Sequence, residues 1–199
     1  MNKPNVFLDL DQTVISSETF SGKFSDWEKA NKFNYKIMED CYIVFERPGL
    51  QKFLKFLFSN FNVSIWTAAS KDYALFIIEN IIIDKKKSRH IDWIFFSYHC
   101  DISSSIKKGT KDLSILWDKY KIPGYNKSNT IIIDDYDEVY KTQPTNCVKV
   151  KPFEFFEHGS ENDNFLEKLA KELRLIKKSI KIGKLQNNIA NNINNNLKI

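Results

Sequence analysis

The chain is short of the residues that staple or interrupt a fold. Its 199 residues include three cysteines, six glycines, five prolines and three histidines. Cys41, Cys100 and Cys147 are odd in number and far apart, which argues against a disulfide framework and for a reducing compartment. No C-x-x-C or H-x-x-x-H spacing occurs, so His99-Cys100, with His90 and His158 elsewhere, makes a poor zinc site. No Arg-bearing phosphate loop follows Cys147, which argues against a cysteine-based phosphatase. Glycine and proline are too sparse for a domain linker, and no internal repeat is visible. The N-terminus lacks a signal-peptide pattern, and no apolar run reaches the length of a membrane span. These absences lead to the expectation of an intracellular protein, nuclear or cytoplasmic, that is not secreted and does not engage a membrane.

What is present suits one α/β domain, with or without an appendage. Hydrophobic residues make up 42%, enough for a sizeable core, and 16 Phe, 8 Tyr and 4 Trp are among them. The net charge of +5 fits an anionic partner but is too mild to imply nucleic acid. The run Lys85-Lys86-Lys87 with Arg89 reads as a solvated face.

Short apolar runs alternate with helical patterns. "NVFLDL" (5–10), "NVSIWT" (62–67), "WIFFSYHC" (93–100), "NTIIIDD" (129–135) and "NCVKV" (146–150) read as strands, and "YIVFE" as another, stopped by Pro48-Gly49. Leu50, Phe53, Leu54, Leu57 and Phe58 recur at helical spacing. "SKDYALFIIENIII" is expected as a helix capped by Ser70, and "TKDLSILWDKY" as a short one. A further helix carries Phe165, Leu166, Leu169, Leu173, Ile176 and Ile180 on one stripe. This alternation implies a parallel sheet with right-handed crossovers. The domain is expected over residues 1–180, followed by an Asn-rich tail over 181–199. The tail's composition suits disorder, while Leu185, Ile189, Ile193 and Leu197 would stripe one face of a docking helix. The aromatics from Phe20 to Tyr35 read more readily as core than as a substrate cradle.

Two strands end in pairs of acids. Asp9 and Asp11 lie two residues apart and can face one pocket at the carboxyl edge of the sheet, with Leu8 and Leu10 turned away. Asp134 and Asp135 close another buried strand at that edge. Burying unpaired carboxylates is costly, and four at one edge repel each other unless a cation joins them. All-oxygen ligands of this kind suit Mg²⁺. Thr67 ends a strand at the same edge, and the amides of Ala68 and Ala69 lead into a helix start, which forms a ready phosphate cradle. Lys111 precedes the fourth strand and could bring a positive charge to the same place.

The order DLDQT, IWTAAS, KDL, IIIDD resembles the four motifs of the haloacid dehalogenase (HAD) phosphohydrolase superfamily. "LDLDQTVISSE", "RPGLQKFLKFLFSNFNVSIWTAASKDYA", "KDLSIL" and "IIIDDYDEVY" are similar to the CTD phosphatase family (FCP/SCP, NLI-interacting-factor-like), across about residues 5–175. The resemblance implies a three-layer α/β/α Rossmannoid fold without a large cap. Segments 14–46 and 84–110 would then supply the rim, as a flap and a small insertion. It implies Asp9 as nucleophile through an aspartyl-phosphate, and Asp11 as acid, then base, with its main-chain carbonyl touching Mg²⁺. Thr67, Ala68 and Lys111 would hold the phosphate, and Asp134 and Asp135 the metal. Its substrates would be phosphorylated proteins or peptides, the tail of RNA polymerase II among them. The pair Asp134-Asp135, with Gln12, looks like the polymerase-directed branch, although no residues are left over for the BRCT module that branch usually carries. Two alternatives stand beside this. One is a HAD phosphatase of small molecules or polynucleotide 3′ ends; the other is a catalytically silent phosphoprotein-binding module.

Overall fold

A computed structural model describes residues 3–20, 24–107, 109–181 and 189–197. Five parallel strands form the central sheet: β1 (Asn5–Leu8), β5 (Asn62–Trp66), β6 (Ile91–Phe95), β7 (Thr130–Asp134) and β8 (Cys147–Lys149), in the order β6-β5-β1-β7-β8. Their apolar runs are short and nearly continuous, as expected where both faces are covered. Period-two alternation divides them between two cores. Val6, Leu8, Val63, Ile65, Ile131 and Ile133 pack on one face, beneath α2 (Leu50–Asn60), α3 (Lys71–Ile77) and α7 (Phe165–Lys181). Phe7, Trp66, Phe95, Ile132 and Cys147 pack on the other, with residues of α4 (Ser97–Ile106), α5 (Ser114–Asp118) and α6 (Asp137–Thr142). The result is the three-layer α/β/α arrangement, and β1 lies at its centre, flanked by β5 and β7.

A second, antiparallel sheet is built from β2 (Ile15–Thr19), β3 (Tyr35–Met38) and β4 (Tyr42–Glu46), in the order β2-β4-β3. Together with the short α1 (Trp27–Ala30) it forms the expected flap over segment 14–46. Phe33, Phe45, Phe153 and Phe155 make its small core, with Phe20, Phe24 and Tyr35 packed against it, so most of these aromatics serve packing. Pro48-Gly49 closes β4, and Gly49 adopts φ +82° ahead of α2, a conformation that favours glycine.

Four expectations need correction. Segment 84–110 is no insertion at the rim: it holds β6, whose Ile91, Ile94 and Phe95 pair with β5, and α4 behind it. The run "WIFFSYHC" is not one strand, because β6 ends at Phe95 and α4 begins at Ser97; Tyr98 has the aromatic character of a strand residue, but Cys100 is the inward position of a helix. The helix after Ser70 keeps its cap, the Ser70 side chain accepting from Tyr73 N–H, but it widens into a π-helical turn over Ile78–Ile83. Arg89 is buried rather than solvated. Its guanidinium donates to the Ile82 carbonyl at the end of that π turn (2.5 Å) and to the Gln51 carbonyl in α2 (3.4 Å), and so ties the two helices together.

The tail forms α8 (Ile189–Leu197), docked on α7 and β8. Ala190 and Ile193 are buried and Leu197 is partly so. Leu185 lies outside the described residues, as do the side chains of Ile176, Ile180 and Ile189. One asparagine also turns inward: Asn194 accepts from Lys149 N–H at 2.9 Å and donates to the Cys147 carbonyl at 3.2 Å. Its amide thus pairs with the outer edge of β8 as a neighbouring strand would.

Candidate active site

Register decides what meets at the carboxyl edge. Leu8 is paired with Ile65 on one side and Ile133 on the other, so Asp9, Thr67 and the Asp134-Asp135 pair all emerge from adjacent strand ends. Asp9 N–H continues the ladder to Ile133 O at 3.0 Å, after which the chain turns sharply, with Val14 N–H donating to Leu10 O at 2.8 Å.

Lys111 Nζ reaches into this edge and donates to Asp9 Oδ1 and Asp134 Oδ2, each at 2.7 Å. All three side chains are almost wholly buried. Burial works against the ammonium, but the two carboxylates outweigh it and hold the Lys111 pKa above its ordinary value. The other oxygens are also engaged. Thr13 Oγ1 lies 2.9 Å from Asp135 Oδ1 and 3.3 Å from Asp9 Oδ2, and Tyr136 N–H donates to Asp134 Oδ1 at 2.8 Å.

Asp9, Asp134 and Asp135 each offer a carboxylate oxygen within 4.8 Å of the others. Three acids around one ammonium leave an excess of negative charge in a dry place. Burial, then repulsion from Asp9, pushes the Asp135 carboxyl up to about 6; the same two causes raise Asp134, against the pull of Lys111. The donor set is all oxygen and under-neutralised, so these residues fit a hard divalent cation such as Mg²⁺.

Asp11 offers no side-chain oxygen to that group. Its Oδ1 accepts from Tyr73 Oη at 2.7 Å and from Ser17 Oγ at 3.0 Å. Burial is the main cause that raises its pKa; the Tyr73 hydrogen bond opposes this and the Asp9 charge adds to it. Both acids of the first pair therefore lie at the site, but with separate partners. Thr67 is buried, and its hydroxyl accepts from Ala69 N–H at 3.1 Å, forming a tight turn that leaves Ala68 exposed at the lip.

Several contributors were not singled out from the sequence. Thr13 bridges two of the acids; its spacing from Asp9, one turn on, is the signal that could have found it. Ser17 and Tyr73 are 6 and 62 residues from Asp11, and no local pattern joins them. The Lys111 loop is held from behind. Gln143 donates to Lys111 O at 2.6 Å and accepts from Leu113 N–H at 3.0 Å, Ser103 Oγ donates to Gly109 O at 2.5 Å and accepts from Asp112 N–H at 3.0 Å, and Glu138 accepts from Thr110 N–H at 3.0 Å. Arg47, fully buried, donates to Thr13 O (3.0 Å), Lys151 O (2.9 Å) and, with two nitrogens, to Asp163 (3.1 and 2.8 Å). It fixes the turn that carries Thr13.

Known proteins are similar to this chain. The sequence profile of NLI interacting factor-like phosphatases matches residues 4–183. A putative CTD phosphatase-like protein of Invertebrate iridescent virus 6 is 48% identical over 173 residues, which cover 83% of this chain and 94% of the relative. Its counterpart in Invertebrate iridescent virus 3 is 40% identical over 183 residues, 88% of this chain and 97% of the relative. An RNA polymerase II C-terminal domain phosphatase of Schizosaccharomyces pombe is 29% identical over 181 residues, 82% of this chain but 23% of that longer protein. Among solved structures, fission yeast Fcp1, an RNA polymerase II CTD phosphatase bound to beryllium fluoride, superposes with a TM-score of 0.56 at 22% identity, covering 98% of this chain and 56% of that one. That similarity supports the fold.

Proposed function

The chain belongs to the NLI interacting factor-like phosphatase family and is a phosphatase, and from that premise we propose that it is a Mg²⁺-dependent phosphoserine/phosphothreonine protein phosphatase working through an aspartyl-phosphate on Asp9. The observation that carries the reading is the buried Lys111, bridging Asp9 and Asp134 at 2.7 Å each beside a third carboxylate.

Asp9 is the nucleophile. Lys111 and the main-chain amide ladder hold its carboxylate at the end of β1, and Thr13 holds its second oxygen. A carboxylate oxygen attacks phosphorus, and the bond from phosphorus to the substrate's alkoxide breaks. Asp11 donates the proton that the alkoxide needs, and its raised pKa keeps that proton available. Asp11, now ionised, then takes a proton from the water that attacks the phosphoryl group, which frees phosphate and restores Asp9. Lys111, with the hydroxyl of Thr67 and the amide of Ala68, is assigned to the phosphoryl oxygens. Mg²⁺, held by Asp9, Asp134 and Asp135 and by the main-chain carbonyl of Asp11, would supply charge neutralisation for the phosphate dianion. The polymerase-tail specificity in the relatives' names suggests phosphorylated, repetitive protein tails as substrate, and with it a nuclear or cytoplasmic setting. Among the described residues, no helix is long and apolar enough to cross a membrane.

The test is turnover of a phosphopeptide array with Mg²⁺ and with EDTA, beside nucleotides and 3′-phosphorylated DNA. Mg²⁺-dependent release from phosphoserine peptides, lost in Asp9→Asn, supports the reading. Preference for nucleotides or DNA ends would move the substrate to those classes.

A further inference from the structure

Asp11 is held by a contact system of its own. Tyr73 Oη and Ser17 Oγ both meet one carboxylate oxygen, Oδ1, at 2.7 and 3.0 Å, and the two hydroxyls lie 2.8 Å apart. These groups come from three places: the turn after β1, the flap strand β2 and helix α3. Tyr73 is 9% exposed, and Tyr42 of flap strand β4 sets its ring edge against it, with centroids 5.7 Å apart. The flap is therefore seated on α3 at the same point where the acid is held.

Which oxygen carries the proton matters for an acid catalyst. With both hydroxyls directed at Oδ1, that oxygen is an acceptor, and the proton of the neutral carboxyl is left to Oδ2. We propose that Tyr73 and Ser17 are positioning residues for proton donation: they fix the rotation of the Asp11 carboxyl and place its transferable proton on Oδ2 while the flap is seated on α3. The inference rests on Asp11 being the acid, as proposed above. The step balances simply. As the phosphorus–oxygen bond breaks, the Oδ2 proton passes to the leaving serine oxygen, and the negative charge appears on an Asp11 carboxylate that Tyr73 and Ser17 continue to hydrogen-bond. A nitrophenolate leaving group needs no such proton, so in the step that expels the leaving group the two hydroxyls should matter for one substrate and not the other; the later attack of water, with Asp11 as base, is common to both.

The experiment compares Tyr73→Phe, Ser17→Ala and Asp11→Asn on a phosphoserine peptide and on p-nitrophenyl phosphate, both with Mg²⁺. In the single-turnover rate of leaving-group release, which precedes the water step, each hydroxyl deletion should slow the peptide reaction about 5–10-fold, the scale of one hydrogen bond. The half-saturating peptide concentration and the single-turnover rate of nitrophenolate release should stay within about twofold. Equal losses in that rate on both substrates would mean general distortion, and a shift of half-saturation at a constant single-turnover rate would make Tyr73 a peptide contact; either result overturns the proposal. If Asp11→Asn discriminates between the substrates and the hydroxyl variants do not, only the positioning role falls. If Asp11→Asn itself does not discriminate, the acid assignment falls and the positioning role falls with it.

Discussion

Replacing Lys111 by Met keeps the volume and removes the charge. In the wild type the ammonium sits 2.7 Å from Asp9 and from Asp134, with all three groups nearly dry. At an effective dielectric of about 20, each contact represents roughly 6 kcal/mol of gross attraction. Most of that offsets the desolvation of three buried charges and the repulsion between the two acids. What the variant exposes is the cost of leaving two buried carboxylates without a counter-charge, about 3–5 kcal/mol when one partner of a buried pair is removed. For a chain of this size that corresponds to a fall in Tm of about 6–20 °C. The assay is a melting curve of Lys111→Met beside wild type in EDTA, at neutral pH. Two rescues follow from the same reasoning. Lowering the pH should recover part of the loss by protonating the acids, and millimolar Mg²⁺ should recover part by supplying charge. Activity should still fall by about 10²–10³-fold with Mg²⁺ present, since the phosphoryl group loses a donor. A variant that melts within about 2 °C of wild type in EDTA would refute the claim that Lys111 neutralises this site.

Asp135 gives a pH signature. Its folded-state pKa, about 6, lies above the ordinary 3.8, so the folded protein holds more protons than the unfolded chain between those values and its stability falls as pH rises through that window. Asp135→Asn should flatten the slope of Tm against pH in EDTA, and Mg²⁺ should raise the wild-type Tm more at pH 7.5 than at pH 5. Asp9→Asn should abolish turnover while melting like a folded protein, and wild-type turnover in that variant would remove it as nucleophile. Asn194→Ala should lower stability by about 1–2 kcal/mol through loss of two edge hydrogen bonds; an unchanged denaturation midpoint would show that α8 adds nothing through that residue.

The sheet was readable because each buried strand is a short apolar run ended by a polar residue, as in Val6-Phe7-Leu8 before Asp9. The acids announced themselves as charges where a core run should continue. The boundary between β6 and α4 was hidden, since aromatic residues lie on both sides of it, Phe95 and Phe96 before Ser97 and Tyr98 after, and only tertiary packing decides where the chain bends. Tyr73 reads as one more helix residue, because its partner is 62 residues away and meets it only in the folded domain. Asn194 carries no signal of its own in an Asn-rich tail, and only the open edge of β8 gives its amide a purpose.

The anchoring of Arg47 bears on how small a working version of this protein can be. Every motif residue precedes Tyr136, so a fragment ending near Val150 would contain the complete chemical set. That fragment would lack Asp163, the carboxylate that takes two nitrogens of a guanidinium with no exposed surface, and the Lys151 carbonyl that takes another. The stranded cation would be expelled toward water, and the Thr13 carbonyl would lose its donor. Thr13 could then no longer hold Asp9 and Asp135 together. Trimming from that end removes α7, which covers one face of the sheet, before it reaches this counter-ion, so both losses should extinguish catalysis before any residue that meets the substrate is touched.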